Sequence, residues 1–164
     1  MSERPARPRP SGAAATGASR GSDATTLSHV AIAVREAEPL VKVLVEGLGA
    51  VRGGEELLDD GALRVVFVRL GAVTLELLEP RSAEHTVAKF LEARGPGLHH
   101  VSLEVRDLAA RLAQAKAAGV RLIDETPRPG AHGTQVAFLH PKSLGGVLIE
   151  LCQSSPASVE PTGD

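Results

Sequence analysis

The chain has 164 residues, a formal net charge of −2, and 43% hydrophobic against 23% charged residues, the size and balance of one globular domain. That charge excludes the basic field a nucleic acid or an anionic membrane surface would call for. Three Phe with no Tyr or Trp exclude base- or sugar-stacking platforms and an aromatic membrane belt, and the lone Cys152 excludes an internal disulfide and a Cys-rich zinc site.

Residues 1–26 are Pro, Gly, Ser, Ala, Thr and Arg without periodicity, and cannot bury enough surface to offset their ordering entropy. They read as a disordered tail. Their Arg and Ser content also fits an organellar transit peptide, but Glu3, Asp23 and the prolines make a poor amphipathic helix. No apolar run approaches the roughly 20 residues of a membrane span, and no apolar segment follows Met1 as in a secretory signal. The expectation is a cytoplasmic protein that engages neither membrane nor nucleic acid.

Alternation predicts a strand over His29–Val34, with Val30, Ile32 and Val34 on one face. A helix follows over Pro39–Glu46, ended by Gly47 and Gly49. A short strand near Val51–Gly54 precedes two longer ones, Arg64–Leu70 and Val73–Leu78, joined at Gly71. Thr86–Arg94 reads as a linking helix and Gly95-Pro96-Gly97 as a break. Val101, Leu103 and Val105 then alternate with His100, Ser102 and Glu104. Asp107 caps a helix with the stripe Leu108, Leu112 and Ala115 and a stop at Gly119. Strands near Arg121–Asp124, at Gln135–Leu139 and at Gly146–Cys152 complete the pattern, and residues 154–164 read as a flexible C-terminal tail.

The chain aligns with itself. Ser28–Arg35 matches His99–Arg106, and Val65–Val68 falls on Val136–Leu139 at the same offset of 71. After a three-residue gap, Leu75-Glu76-Leu77 falls on Ile149-Glu150-Leu151. Three blocks in one order indicate a duplication. The predicted fold is α+β: a single domain over 27–153 of two βαβββ modules, 27–80 and 98–153, forming a curved eight-stranded mixed sheet around a cleft.

The duplication sets His29 and Glu76 in one module against His100 and Glu150 in the other. Each Glu alternates with apolar neighbours, so it points away from their face. Two imidazoles and two carboxylates suit a divalent metal and leave positions open for substrate or water. Taken singly, a strand Glu is ordinarily on a solvated face and a strand His structural; recurrence at equivalent positions is what favours ligation. By alternation His99 points away from His100, and Glu104, on the face of His100, could support it. His132 lies in a Gly-rich turn, Pro129–Gly133, that can close over the cleft. Lys142, Ser143 and neighbouring backbone N–H groups could hold a phosphate or carboxylate, although a turn lysine is more commonly just solvated.

These segments resemble the vicinal oxygen chelate, or glyoxalase, superfamily and, within it, the methylmalonyl-CoA epimerases. The carrying residues are Leu27–Val34, Leu75–Pro80, Val87–Leu91, Gly97–Val101 and Pro129–Gly133. The most specific are Leu98-His99-His100 and Phe138–Ser143 followed by Gly145–Leu151. The resemblance implies a divalent metal (Co, Mn, Zn, Ni or Mg) held by His29, Glu76, His100 and Glu150. It implies an acyl-CoA substrate, epimerised at carbon 2 on the propionyl-CoA to succinyl-CoA route, and, by analogy, a homodimer. Glu150 would be the first acid–base group. Some members are thought to use a carboxylate on the strand corresponding to Arg64–Val68, where this chain has Val65, so Glu76, a metal-bound water or a group the sequence does not mark would be the second. Within the superfamily the competing functions are a glyoxalase-type metal-dependent lyase or isomerase and a metal-free, resistance-type binding protein. The binding protein would have an apolar residue at one or more of the four positions, and this chain has none.

Overall fold

The computed structural model describes residues 25–154. The two expected tails, 1–26 and 154–164, lie outside the described residues except at 25, 26 and 154. Eight strands form one sheet: β1 (Thr26–Ala33), β2 (Val51–Leu58), β3 (Leu63–Leu70), β4 (Val73–Pro80), β5 (Gly97–Glu104), β6 (Arg128–Pro129), β7 (Gln135–Leu139) and β8 (Ile149–Gln153). Three helices accompany them: α1 (Glu38–Lys42, continued by a π-helical turn, Val43–Gly47), α2 (Thr86–Arg94) and α3 (Leu108–Ala117).

The sheet order is β2-β3-β4-β1-β5-β8-β7-β6, each half mirroring the other. β1 runs parallel to β4 and β5 parallel to β8, while β1 and β5 are antiparallel and join the halves. This is the predicted α+β arrangement of two βαβββ modules on one mixed sheet. Its edges come together across a cleft, because the His132 N–H donates to Glu56 of β2 at 2.9 Å.

Helix packing explains which face each strand buries. α1 covers Val66, Val68 and Leu77 with its own Val41 and Leu44. α3 does the same in the second half, where Leu108 and Leu112 meet Ala137, Leu139 and Leu151. α2 instead closes the concave side: its Val87 and Leu91 pack on Ala31, Ala33, Leu63, Val65 and Leu78. The concave face of β1 is therefore the small-residue one, with Ala31 and Ala33 wholly buried. No helix among the described residues is long and apolar enough to cross a membrane.

Three strand expectations need correction. Arg121–Asp124 forms only a single bridge, Leu122 to Leu139; the strand in that place is β6, kept to two residues by prolines at 127 and 129 that donate nothing to a ladder. β8 starts at Ile149, not Gly146, because Gly145 and Gly146 take positive φ. β2 runs on to Leu58: Gly53 and Gly54 do not break it but sit in a register shift between Arg52 and Glu55. A Cβ on Gly53 would come within 3.1 Å of Phe67 Cβ, so the position demands the close approach glycine allows.

Candidate active site

The four central strands, β4, β1, β5 and β8, bring four titratable side chains together on the concave face. These are Glu76, His29, His100 and Glu150. His29 Nε2 lies 3.3 Å from His100 Nε2, 3.4 Å from Glu150 Oε1 and 3.5 Å from Glu76 Oε2. Glu150 Oε2 is 3.8 Å from His100 Nε2. Ligand atoms of His29, His100 and Glu150 all fall within 4.8 Å of one another, and all three residues are buried. Glu76 joins through its contact with His29, its side chain 12% exposed.

Burial sets the protonation of this group. It lowers His29 to about 4 and His100, with help from neighbouring positive charge, to about 2, so both rings are neutral at neutral pH. It raises Glu76 to about 8, with the neighbouring Glu150 adding to the effect, and Glu150 to about 7. The Ser102 hydroxyl opposes the last shift by donating to Glu150 Oε1 at 2.7 Å. Two facing imidazole nitrogens satisfy one another only if one carries a proton; a cation satisfies both, and the two carboxylates supply the charge to hold it. This donor set fits a divalent metal ion.

The site opens into a pocket of about 860 Å³, in the size range of small-molecule sites. Leu58, Leu63, Val65, Phe67 and Leu78 form an apolar wall. Arg128, also on the lining, lies 5.2 Å from the Phe138 ring and is tied by Nε to Asp124 at 3.4 Å. Asp59 and His85 also line the pocket and are bonded to each other, Nε2 to Oδ2, at 2.9 Å. The sequence does not mark this pair: the family resemblance points to β3 for the second carboxylate, where Val65 is buried. Asp59 comes instead from the preceding turn, where Asp59 and Asp60 both adopt positive φ. The signal was available as Asp-Asp-Gly, residues that tolerate left-handed backbone.

His132, the remaining non-glycine residue with positive φ among those described, lines the pocket too, its ring 4.1 Å from Phe67. Lys142 and Ser143 lie on a turn, Pro141–Ser143, outside the pocket lining, and the Ser143 hydroxyl accepts the Arg121 N–H. Glu104 does not support His100; it accepts the Ser154 N–H, and the buried partner of the site is Ser102. Cys152 is buried and pushed up to about 12, an unreactive thiol at neutral pH.

His99 departs furthest from expectation. It lines the pocket beside His100 because β5 carries a bulge there: Ala31 pairs with His100 and Ile32 with Leu98, leaving His99 as the extra residue.

Comparison with known proteins places these features. The sequence model of the Glyoxalase/Bleomycin resistance protein/Dioxygenase superfamily matches residues 28–138. The mitochondrial methylmalonyl-CoA epimerase of Homo sapiens is 40% identical over 129 residues, which are 78% of this chain and 73% of that protein. The ethylmalonyl-CoA/methylmalonyl-CoA epimerase of Cereibacter sphaeroides is also 40% identical over 129 residues, 77% of this chain and 96% of that one. The crystal structure of methylmalonyl-CoA epimerase from Mycobacterium tuberculosis superposes with a TM-score of 0.75 at 35% identity, covering 80% of this chain and 89% of that one.

Proposed function

The chain belongs to the glyoxalase/bleomycin resistance protein/dioxygenase superfamily, and on that premise we propose that it is an isomerase that interconverts the two epimers of methylmalonyl-CoA at carbon 2. The observation that carries this reading is the convergence of His29, His100, Glu76 and Glu150 on a pocket that also holds a separate carboxylate–imidazole pair, Asp59–His85. Relatives at about 40% identity that bear the epimerase name support it.

His29, His100, Glu76 and Glu150 are the residues that would hold a divalent cation. When bound, the cation supplies positive charge against the negative charge that develops on the substrate's thioester oxygen and carboxylate. The rest falls to the chain. The proton on carbon 2 lies between a thioester and a carboxylate, so its removal leaves an enolate. Glu150, which burial holds above the ordinary carboxylate range and which a bound cation would draw back down, is the first group to take and return that proton. Inversion requires a proton from the other face. Asp59 stands on the opposite half of the sheet order from Glu150, at the end of β2, and His85 orients its carboxylate. The Asp59–His85 pair thus serves as the second proton carrier, the place that the sequence left to Glu76 or water. Arg128 and Arg69, both on the pocket wall, suit a substrate that carries carboxylate and phosphate charge.

The test is exchange of the carbon 2 proton of methylmalonyl-CoA with solvent deuterium, followed by proton NMR. Exchange with Mn²⁺ or Co²⁺ present and its loss on chelation are expected. No exchange in the metal-loaded protein overturns the assignment.

A further inference from the structure

The sheet carries two bulges at the seam between its halves, and the internal duplication relates them. On β1, Leu27 pairs with Leu103 and His29 with Ser102, leaving Ser28 as the extra residue. On β5 the extra residue is His99, facing Ala31 and Ile32. Ser28 and His99 are equivalent in the repeat, as are the residues they face. Each bulged residue immediately precedes one of the two buried imidazoles, and both line the pocket. A bulge breaks the alternation, so the extra side chain stays near its neighbour's face.

In both places the extra side chain engages the same atom. Ser28 Oγ lies 3.2 Å from His29 Nδ1, and His99 Nδ1 lies 2.9 Å from His100 Nδ1. The Nε2 atoms are left facing each other at 3.3 Å. A neutral imidazole has one N–H and one lone pair. An Nε2 that offers its lone pair to a cation must have its proton on Nδ1, and that proton needs an acceptor. Ser28 Oγ and the His99 Nδ1 lone pair are those acceptors. The His99 ring is further fixed by an edge contact with Phe90 of α2, centroids 4.9 Å apart.

We propose that Ser28 and His99 are positioning residues: the duplicated bulges set them against Nδ1 of His29 and His100, so that both rings turn Nε2 toward a divalent cation. This rests on the metal-holding role argued above. His99 is the more consequential, since its acceptor is a ring atom held on two sides while a serine hydroxyl rotates.

The duplication itself suggests the test. His99→Phe keeps an aromatic ring against Phe90 but removes the acceptor. His99→Asn restores an acceptor oxygen without the ring, and His99→Ser copies the arrangement at Ser28. Mn²⁺ affinity of the full chain, stripped by chelator, is measured by calorimetric titration. His99→Phe is expected to bind about 10–100-fold more weakly, the usual cost of losing a ligand's hydrogen-bond partner, with His99→Asn and His99→Ser recovering most of that loss. A merely structural role for the ring predicts the reverse order. Wild-type affinity in His99→Phe overturns the proposal, as do Asn and Ser variants no better than Phe. If His99→Phe fails to fold, a Zn²⁺-loaded wild-type chain decides: a slowly exchanging Nδ1–H resonance on His100 is expected, and its absence overturns the proposal. Wild-type protein that binds no metal at all overturns the metal site itself, a separate outcome from metal binding that His99→Phe leaves unchanged.

Discussion

Ser102 has no solvent exposure, and its hydroxyl donates to Glu150, the buried carboxylate proposed above to carry the carbon 2 proton. A hydrogen bond to a charged group contributes about 1.5–3 kcal/mol, and here it favours the ionised form. Ser102→Ala is expected to raise the Glu150 pKa further and move the acid limb of the kcat/KM profile up by about one pH unit. An unmoved limb removes Ser102 from the chemistry. The two proposed proton carriers are separable by mutation. Glu150→Gln is expected to lower turnover at least about a hundredfold. Asp59→Asn is expected to abolish inversion while leaving deuterium exchange on the one epimer whose proton faces Glu150. Loss of exchange on both epimers, or retained inversion, refutes the division of labour. The four residues at the centre of the site were legible because repetition marked them. Ser102 and Asp59 were not. A serine on an alternating strand gives no sign of what it will touch, and Asp59 reaches the pocket through a left-handed turn with no counterpart in the hydrophobic pattern.

At the scale of elements, the turn Ala131–Gly133 is the piece of β6–β7 that reaches across to β2. It is held at its base by Gly130, where a Cβ would sit 2.7 Å from both Thr134 Oγ1 and Val136 Cγ1. Val136 is buried, so it cannot yield freely. Gly130→Ala is expected to destabilise the protein by about 1–3 kcal/mol, as overpacking does, and to raise KM by loosening His132 on the pocket wall. Thermal melts and steady-state kinetics check both, and an unchanged KM detaches the turn from substrate binding. The main strands and all three helices could be read from period and glycine position. What failed were the edges and the bulges. β6 is two residues long, too short to show a period. Gly53 and Gly54 looked like a strand end because a bulge and a break carry the same residues. Alternation puts His99 on the wrong face for the same reason: it presumes an unbroken ladder, and one extra residue in β5 cancels it.

For the molecule as a whole, the cluster at the sheet centre makes stability depend on pH in a way that a bound cation would reverse. Glu76 keeps its proton up to about 8 and Glu150 up to about 7 when folded, against 4.5 ordinarily. Between those values the folded state holds more protons than the unfolded one, so stability falls as pH rises. His29 and His100 act oppositely: lowered from 6.5 to about 4 and about 2, they bind fewer protons when folded, and stability rises with pH until about 6.5. The two effects oppose each other from pH 4.5 to 6.5, and above 6.5 the carboxylates act without that opposition. Metal-free protein is therefore expected to lose about 5 °C or more in Tm between pH 6.5 and 8. Zn²⁺ or Mn²⁺ should invert the slope, because the cation binds the deprotonated carboxylates and neutral imidazoles that alkaline conditions favour. With no Trp or Tyr in the chain, unfolding is followed by circular dichroism or calorimetry. A metal-free Tm that holds or climbs across this window means that the two carboxylates are not crowded and dry as the strands place them. The same slope with and without metal means that the cation does not bind there.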